Sequence, residues 1–158
     1  MEDFAVLLRE AEQKIKIADH LLSTTYPAVK EPKLLFSVIE NIFRALDLTI
    51  VAVLTYEKHF KSLPEFGQTF EGCIEVFRRK IMPKYEVDRE FLDFTLHIKE
   101  LLDEHKRTAT TFSKKQTFVI ADEQFNIKTL TESEVKKDLI KARQLMEKVA
   151  AITKRLDH

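Results

Sequence analysis

A bundle of about five amphipathic helices is the fold this sequence predicts, and three observations carry that reading. Glycine and proline number only two and four in 158 residues, so few positions interrupt a helix. The composition, 44% hydrophobic and 33% charged, is what helices with one buried and one solvated face require. From Pro32 to Phe60 runs an apolar helix whose only sizeable polar stripe carries Glu40, Arg44 and Asp47, and it reads as the central helix. The predicted class is all-α, an up-and-down bundle in one domain over residues 1–158, with a small β-hairpin inserted before the last helix. A chain of this length buries enough surface for a stable core without disulfides or metal.

The first helix is expected to start at the N-cap Asp3 and to run to about Thr24. Phe4, Leu8, Ala11, Ile15, Ala18 and Leu22 fall on one stripe, and Tyr26 and Pro27 are expected to break it. The second helix begins at Pro32, where a missing N–H costs nothing, and ends near His59. Its main face is Leu35, Ile39, Ile42, Leu46, Ile50 and Val53. Phe36, Phe43 and Leu54 widen that face, so neighbours should cover it on more than one side. Pro64 and Gly67 mark a loop over 61–68, and a third helix follows from about Thr69 to Met82, expected to stop at Pro83.

The fourth helix takes Asp88 as its N-cap and buries Phe91, Phe94, Ile98 and Leu101 or Leu102, reaching Lys106 or Arg107. Thr117 to Ala121 and Phe125 to Lys128 are rich in β-branched and aromatic residues around Asp122 and Glu123, and give the hairpin. The last helix has the clearest start signal. Thr131 and Glu134 form a capping box, with Leu130 and Val135 placed for a hydrophobic staple, and the apolar stripe continues to about Leu156.

Charge and cysteine content narrow the function classes. Twenty-six basic and 26 acidic residues cancel, which argues against binding to nucleic acid through bulk charge and leaves local basic patches as the alternative. The lone Cys73 has no partner for a disulfide or a cysteine zinc site, so a reducing cytoplasm is expected. The acidic start MEDFAVLLRE is unlike a signal peptide, and the densest apolar stretch is interrupted by three charges, so no membrane span is expected.

Glu40, Arg44 and Asp47 stand four and three residues apart, a spacing that lets them meet as a charge triad beside Asn41. These four residues are the candidate ligand-binding set, for a pocket between helices; the alternative is a solvated face or an ion-pair network that fixes helix register. None of the five histidines stands in a metal-binding helical motif, and neither metal nor cofactor is expected. His105 prolongs the apolar stripe of the fourth helix, and His97 lies at its edge near Glu100 and Glu104. Basic groups occur at Arg78, Arg79, Lys80 and Lys84; at Lys106, Arg107, Lys114 and Lys115; and at Lys137, Lys141, Lys148 and Arg155. Tyr85 and Phe112 beside the first two groups could stack on bases, although interspersed acids favour a solvated surface.

The order of helices, with ENIFRALD at Glu40 to Asp47 on the second, resembles the HEPN superfamily of helical domains over most of the chain. The resemblance implies an up-and-down bundle that forms a homodimer and binds RNA, a nucleotide or a protein partner. Many such domains cleave RNA without metal through an Arg and a nearby His. Arg89 would be that arginine, but the family's spacing puts the histidine at Phe94, Thr95 or Leu96, and His97 comes one residue later. One residue turns a side chain by about 100° on a helix. The resemblance therefore implies a non-catalytic binding module, with Arg89 and His97 lining the mouth of the site. The alternatives are a metal-independent ribonuclease using Arg89 with His97 or His105, and a purely structural helical adaptor.

Overall fold

The computed structural model describes residues 3–61, 63–112, 119–121 and 127–157. Helix α1 (Phe4–His20) starts where Asp3 Oδ1 accepts from the Ala5 N–H at 3.3 Å. It does not stop at Pro27. A π-helical turn, Leu21–Thr25, carries the chain into a last turn, α2 (Tyr26–Val29), and Lys30 closes it in the left-handed conformation at φ 53°. The same device recurs after α4 (Phe70–Val76). The π-turn Phe77–Ile81 leads into α5 (Met82–Tyr85) with Pro83 inside it, and Glu86 closes at φ 52°.

Both prolines were expected as breakers, and the geometry gives the reason they are not. A proline ring collides with the carbonyl four residues back and has no N–H to give it. In each π-turn the N–H just before the proline reaches back five residues, Tyr26 to Leu21 and Met82 to Phe77. That wider turn takes up the proline without breaking the rod.

Helix α3 (Pro32–Lys61) is the centre, and α1, α4, α6 (Arg89–Phe112) and α7 (Glu132–Ala150) all pack on it. Its expected face, Leu35, Ile39, Ile42, Leu46, Ile50 and Val53, is buried, and so are Val38, Ala45, Ala52 and Leu54 on its flanks. Each large aliphatic side chain buried in this way contributes about 1.5–3 kcal/mol. Thr131 Oγ1 accepts from the Glu134 N–H at 3.2 Å and so caps α7 where the sequence places the start. After Ala150 the chain tightens into a 3-10 helix, Ala151–Asp157, so the α-helix ends earlier than the stripe suggested.

The fold is all-α. Between α6 and α7, β1 (Val119–Ala121) and β2 (Ile127–Thr129) run antiparallel with Val119 opposite Thr129, a ladder too short to form a layer. The expected hairpin turn around Asp122 and Glu123, and the side chains of Arg107, Phe112, Lys114, Lys115 and Arg155, lie outside the described residues. No helix among the described residues is long and apolar enough to cross a membrane.

The sequence reading assigned no role to Glu57, which the structure buries at 3% exposure. Its carboxylate accepts from Lys84 Nζ at 3.0 Å and from the Tyr85 hydroxyl, and its backbone carbonyl accepts from the Leu63 N–H. Glu57 thus ties α5 and the loop after α3 to the central helix.

Candidate functional site

Depressions flank α6 towards α3 and towards α7. Lys99 and His97, two residues apart, point about 200° apart around that helix, so each lines a different one.

The α3-side cleft, about 450 Å³, is lined by Glu40, Asn41 and Arg44 of α3, Lys99, Asp103 and Lys106 of α6, and Lys14 of α1. Three of the four candidate ligand-binding residues therefore share one cleft, where they meet three further cations and one further carboxylate, four cations and two carboxylates in all. Lys99 is engaged: it holds Asp103 at 2.7 Å and 3.0 Å and sits 5.9 Å from the ring centroids of Phe43 and Phe70. Among the described residues, Lys14, Arg44 and Lys106 make no ion pair within 4 Å. Asn41 gives one amide hydrogen to the Ser37 carbonyl at 2.8 Å, which leaves its oxygen and a second hydrogen for other partners.

The charge triad does not close. No ion pair within 4 Å joins Glu40, Arg44 and Asp47, because Glu40 and Arg44 are exposed and water competes for both. Asp47 does not line the cleft. It is half-buried towards α4, where burial pushes its carboxyl pKa up against the opposing pull of Arg44. Burial also raises the Cys73 thiol, with the Asp47 charge adding to it. The thiol donates to the Gly67 carbonyl at 3.8 Å. Asp47 and Cys73 belong to the α3–α4 packing.

His105 is stacked on Phe36, ring centroids 3.4 Å apart and planes at 21°. Burial lowers its pKa, and the nearby Glu40 charge partly restores it. The imidazole packs in the α3–α6 contact, as the apolar stripe implied.

The α7-side depression holds Arg89, His97, Glu90, Asp93 and Lys141. Arg89 pairs with Asp93 at 3.6 Å, and Lys141 bridges to Glu90 at 3.1 Å while lying 5.4 Å from the Phe94 ring centroid. His97 sits beside Asp138 of α7, whose pKa burial raises and the histidine's charge lowers. Arg89 and His97 thus share a depression, but not the one that holds Glu40, Asn41 and Arg44. Eight residues separate them along α6, about 12 Å of rise. Among the described residues, no group of three or more His, Cys, Asp or Glu side chains is arranged to hold a metal ion.

The sequence reading missed Lys14, Lys99 and Asp103. Their signal was present only across helices: Lys99 and Lys106 are seven apart and share a face of α6, but nothing along one helix says that α3 lies opposite. No protein-family model matches this chain, and no curated protein or solved structure does either.

Proposed function

We propose that this chain is a non-catalytic, HEPN-like binding module that holds a phosphate-bearing ligand, RNA or a nucleotide, in the cleft between α1, α3 and α6. The observation that carries this reading is the excess of positive charge there, four cations against two carboxylates, with Lys14, Arg44 and Lys106 in no ion pair among the described residues. Lysine and arginine side chains of this kind make charge-assisted hydrogen bonds to phosphate oxygens. The neutral net charge of the chain does not oppose it, because recognition depends on the local field.

The test is retention of a labelled single-stranded RNA pool and, separately, of a mononucleotide by wild type and Arg44→Ala. Retention weakened by Arg44→Ala supports the reading, and the arm that responds identifies the ligand. Unchanged retention, with an unchanged melting temperature, removes Arg44 from the site. The homodimer belongs to the same proposal, and sedimentation velocity reads it.

One observation favours a second reading, a metal-independent ribonuclease. Arg89 and His97 line one depression, and Asp138 stands beside His97 where it could orient the imidazole. It predicts RNA cleavage without metal that His97→Ala abolishes. Against it stand three carboxylates, Asp88, Glu90 and Asp93, at the same surface, which repel a phosphate backbone.

A further inference from the structure

Asn41 is the one neutral polar side chain among the described residues that line the α3-side cleft, and its orientation is fixed. The Ser37 carbonyl can only accept, so the amide nitrogen must face it, and it donates there at 2.8 Å. Turning the amide over would set oxygen against oxygen. Oδ1 is thereby left as an acceptor and the second N–H as a donor, side by side on a half-buried group. The cleft thus holds a preset acceptor–donor pair among charged neighbours.

The charges describe the rest of the ligand. Arg44 stands three residues on, a neighbour of Asn41 on the helix surface, and Lys106 lines the same cleft from α6. A polyanion needs only the cations. Glu40, exposed and in no ion pair within 4 Å among the described residues, adds a carboxylate that accepts from hydroxyl groups and repels a second phosphate. A ligand with one phosphate, sugar hydroxyls and a base meets all of these conditions. The volume, about 450 Å³, lies in the usual range for one small molecule.

The placement along α3 selects the base. With the phosphate on Arg44, one turn from Asn41, the purine edge that reaches the amide is the one on the phosphate's side, at N7. Adenine presents an acceptor at N7 and a donor at N6 there, the complement of the amide; guanine presents two acceptors and sets O6 against Oδ1. Pyrimidines carry carbon in place of N7. We propose that this cleft binds an adenine nucleotide, Asn41 pairing with N6 and N7 of the base while Arg44 and Lys106 hold its phosphate. The proposal rests on the phosphate reading of the same cleft and adds the base to it.

Calorimetric titration of the protein with AMP, GMP and 7-deaza-AMP tests it. AMP should bind at least about fivefold tighter than GMP, the discrimination of one bidentate pair, and 7-deaza-AMP, which lacks the N7 acceptor, should bind several-fold weaker than AMP. Asn41→Leu should bring AMP and GMP within about twofold of each other, whereas Arg44→Ala should weaken both alike. Equal binding of AMP and GMP by the wild-type protein, both weakened by Arg44→Ala, overturns the adenine assignment and leaves the phosphate reading standing. Absence of saturable AMP binding overturns the assignment as well, and the RNA arm of the Arg44→Ala comparison then decides the phosphate reading separately. Because Asn41→Leu can also disturb α3, the comparison of AMP with 7-deaza-AMP on the wild-type protein stands by itself: equal affinities reject pairing at N7.

Discussion

On the α3 side of α6, four cations face two carboxylates; on the α7 side, two permanent cations, Arg89 and Lys141, face three carboxylates and one imidazole. The residue types are nearly the same and the helix is shared. What differs is the pairing. Towards α7, both Arg89 and Lys141 have an acid within 4 Å, and such exposed pairs contribute about 0–1 kcal/mol while leaving little field. Towards α3, Lys99 is the one cation of the cleft matched to a carboxylate among the described residues, and the remaining cations converge on the cleft. Charged residues on one helix can thus be paired off on one side and left to converge on a cleft on the other, depending on what the facing helix brings.

The largest expected effect that separates the two sides is charge reversal. Arg44→Glu should reduce affinity for the phosphate ligand by at least tenfold, about the energy of one charge-assisted hydrogen bond. Arg89→Glu should change it less than twofold. Equal losses measured by fluorescence anisotropy would break the comparison. A smaller effect is expected from Lys106→Ala, which should lower the slope of log affinity against log salt by nearly one if RNA is the ligand. An unchanged slope would take Lys106 out of contact with phosphate.

Two pH effects sharpen the contrast further. The folded pKa of Asp138 is raised, so the fold disfavours its charged form, and this penalty applies at neutral pH and fades as pH falls through the raised pKa. Asp138→Asn should therefore raise the melting temperature at pH 7 and lose that advantage in acid. A lower melting temperature at pH 7 would mean that attraction to His97 outweighs burial. The smallest effect belongs to His105. Its folded pKa is lowered, so its contribution to stability is intact above the ordinary imidazole range and is lost as pH falls through the unfolded value towards the folded one. His105→Phe should flatten that part of the stability profile, and a profile unchanged by the substitution would assign it to other groups.

Where the sequence was legible, the physics was local. The Thr131 cap, the Asp3 and Asp88 N-caps and the buried face of α3 follow from hydrogen bonds and periodicity within a few residues. Pro27 and Pro83 misled because each π-turn lies upstream of its proline, in LLSTT and FRRKI, which have no marker of their own. Glu57 was hidden for another reason: its partners Lys84 and Tyr85 are 27 and 28 residues away. Of the candidate site, Glu40, Asn41 and Arg44 were found from one helix. Asp47 has the same spacing but faces α4, and Arg89 and His97 face α7, since spacing fixes direction around a helix and not what stands there.

The most direct measurement is a backbone and side-chain chemical-shift map of the protein titrated with a short single-stranded RNA and, in parallel, with a mononucleotide. The account predicts that resonances of Lys14, Arg44 and Lys106 move in saturable fashion with at least one of these ligands while those of Arg89 and His97 stay in place. Shifts confined to Arg89, His97 and Lys141, or no saturable shift with either ligand, would contradict it.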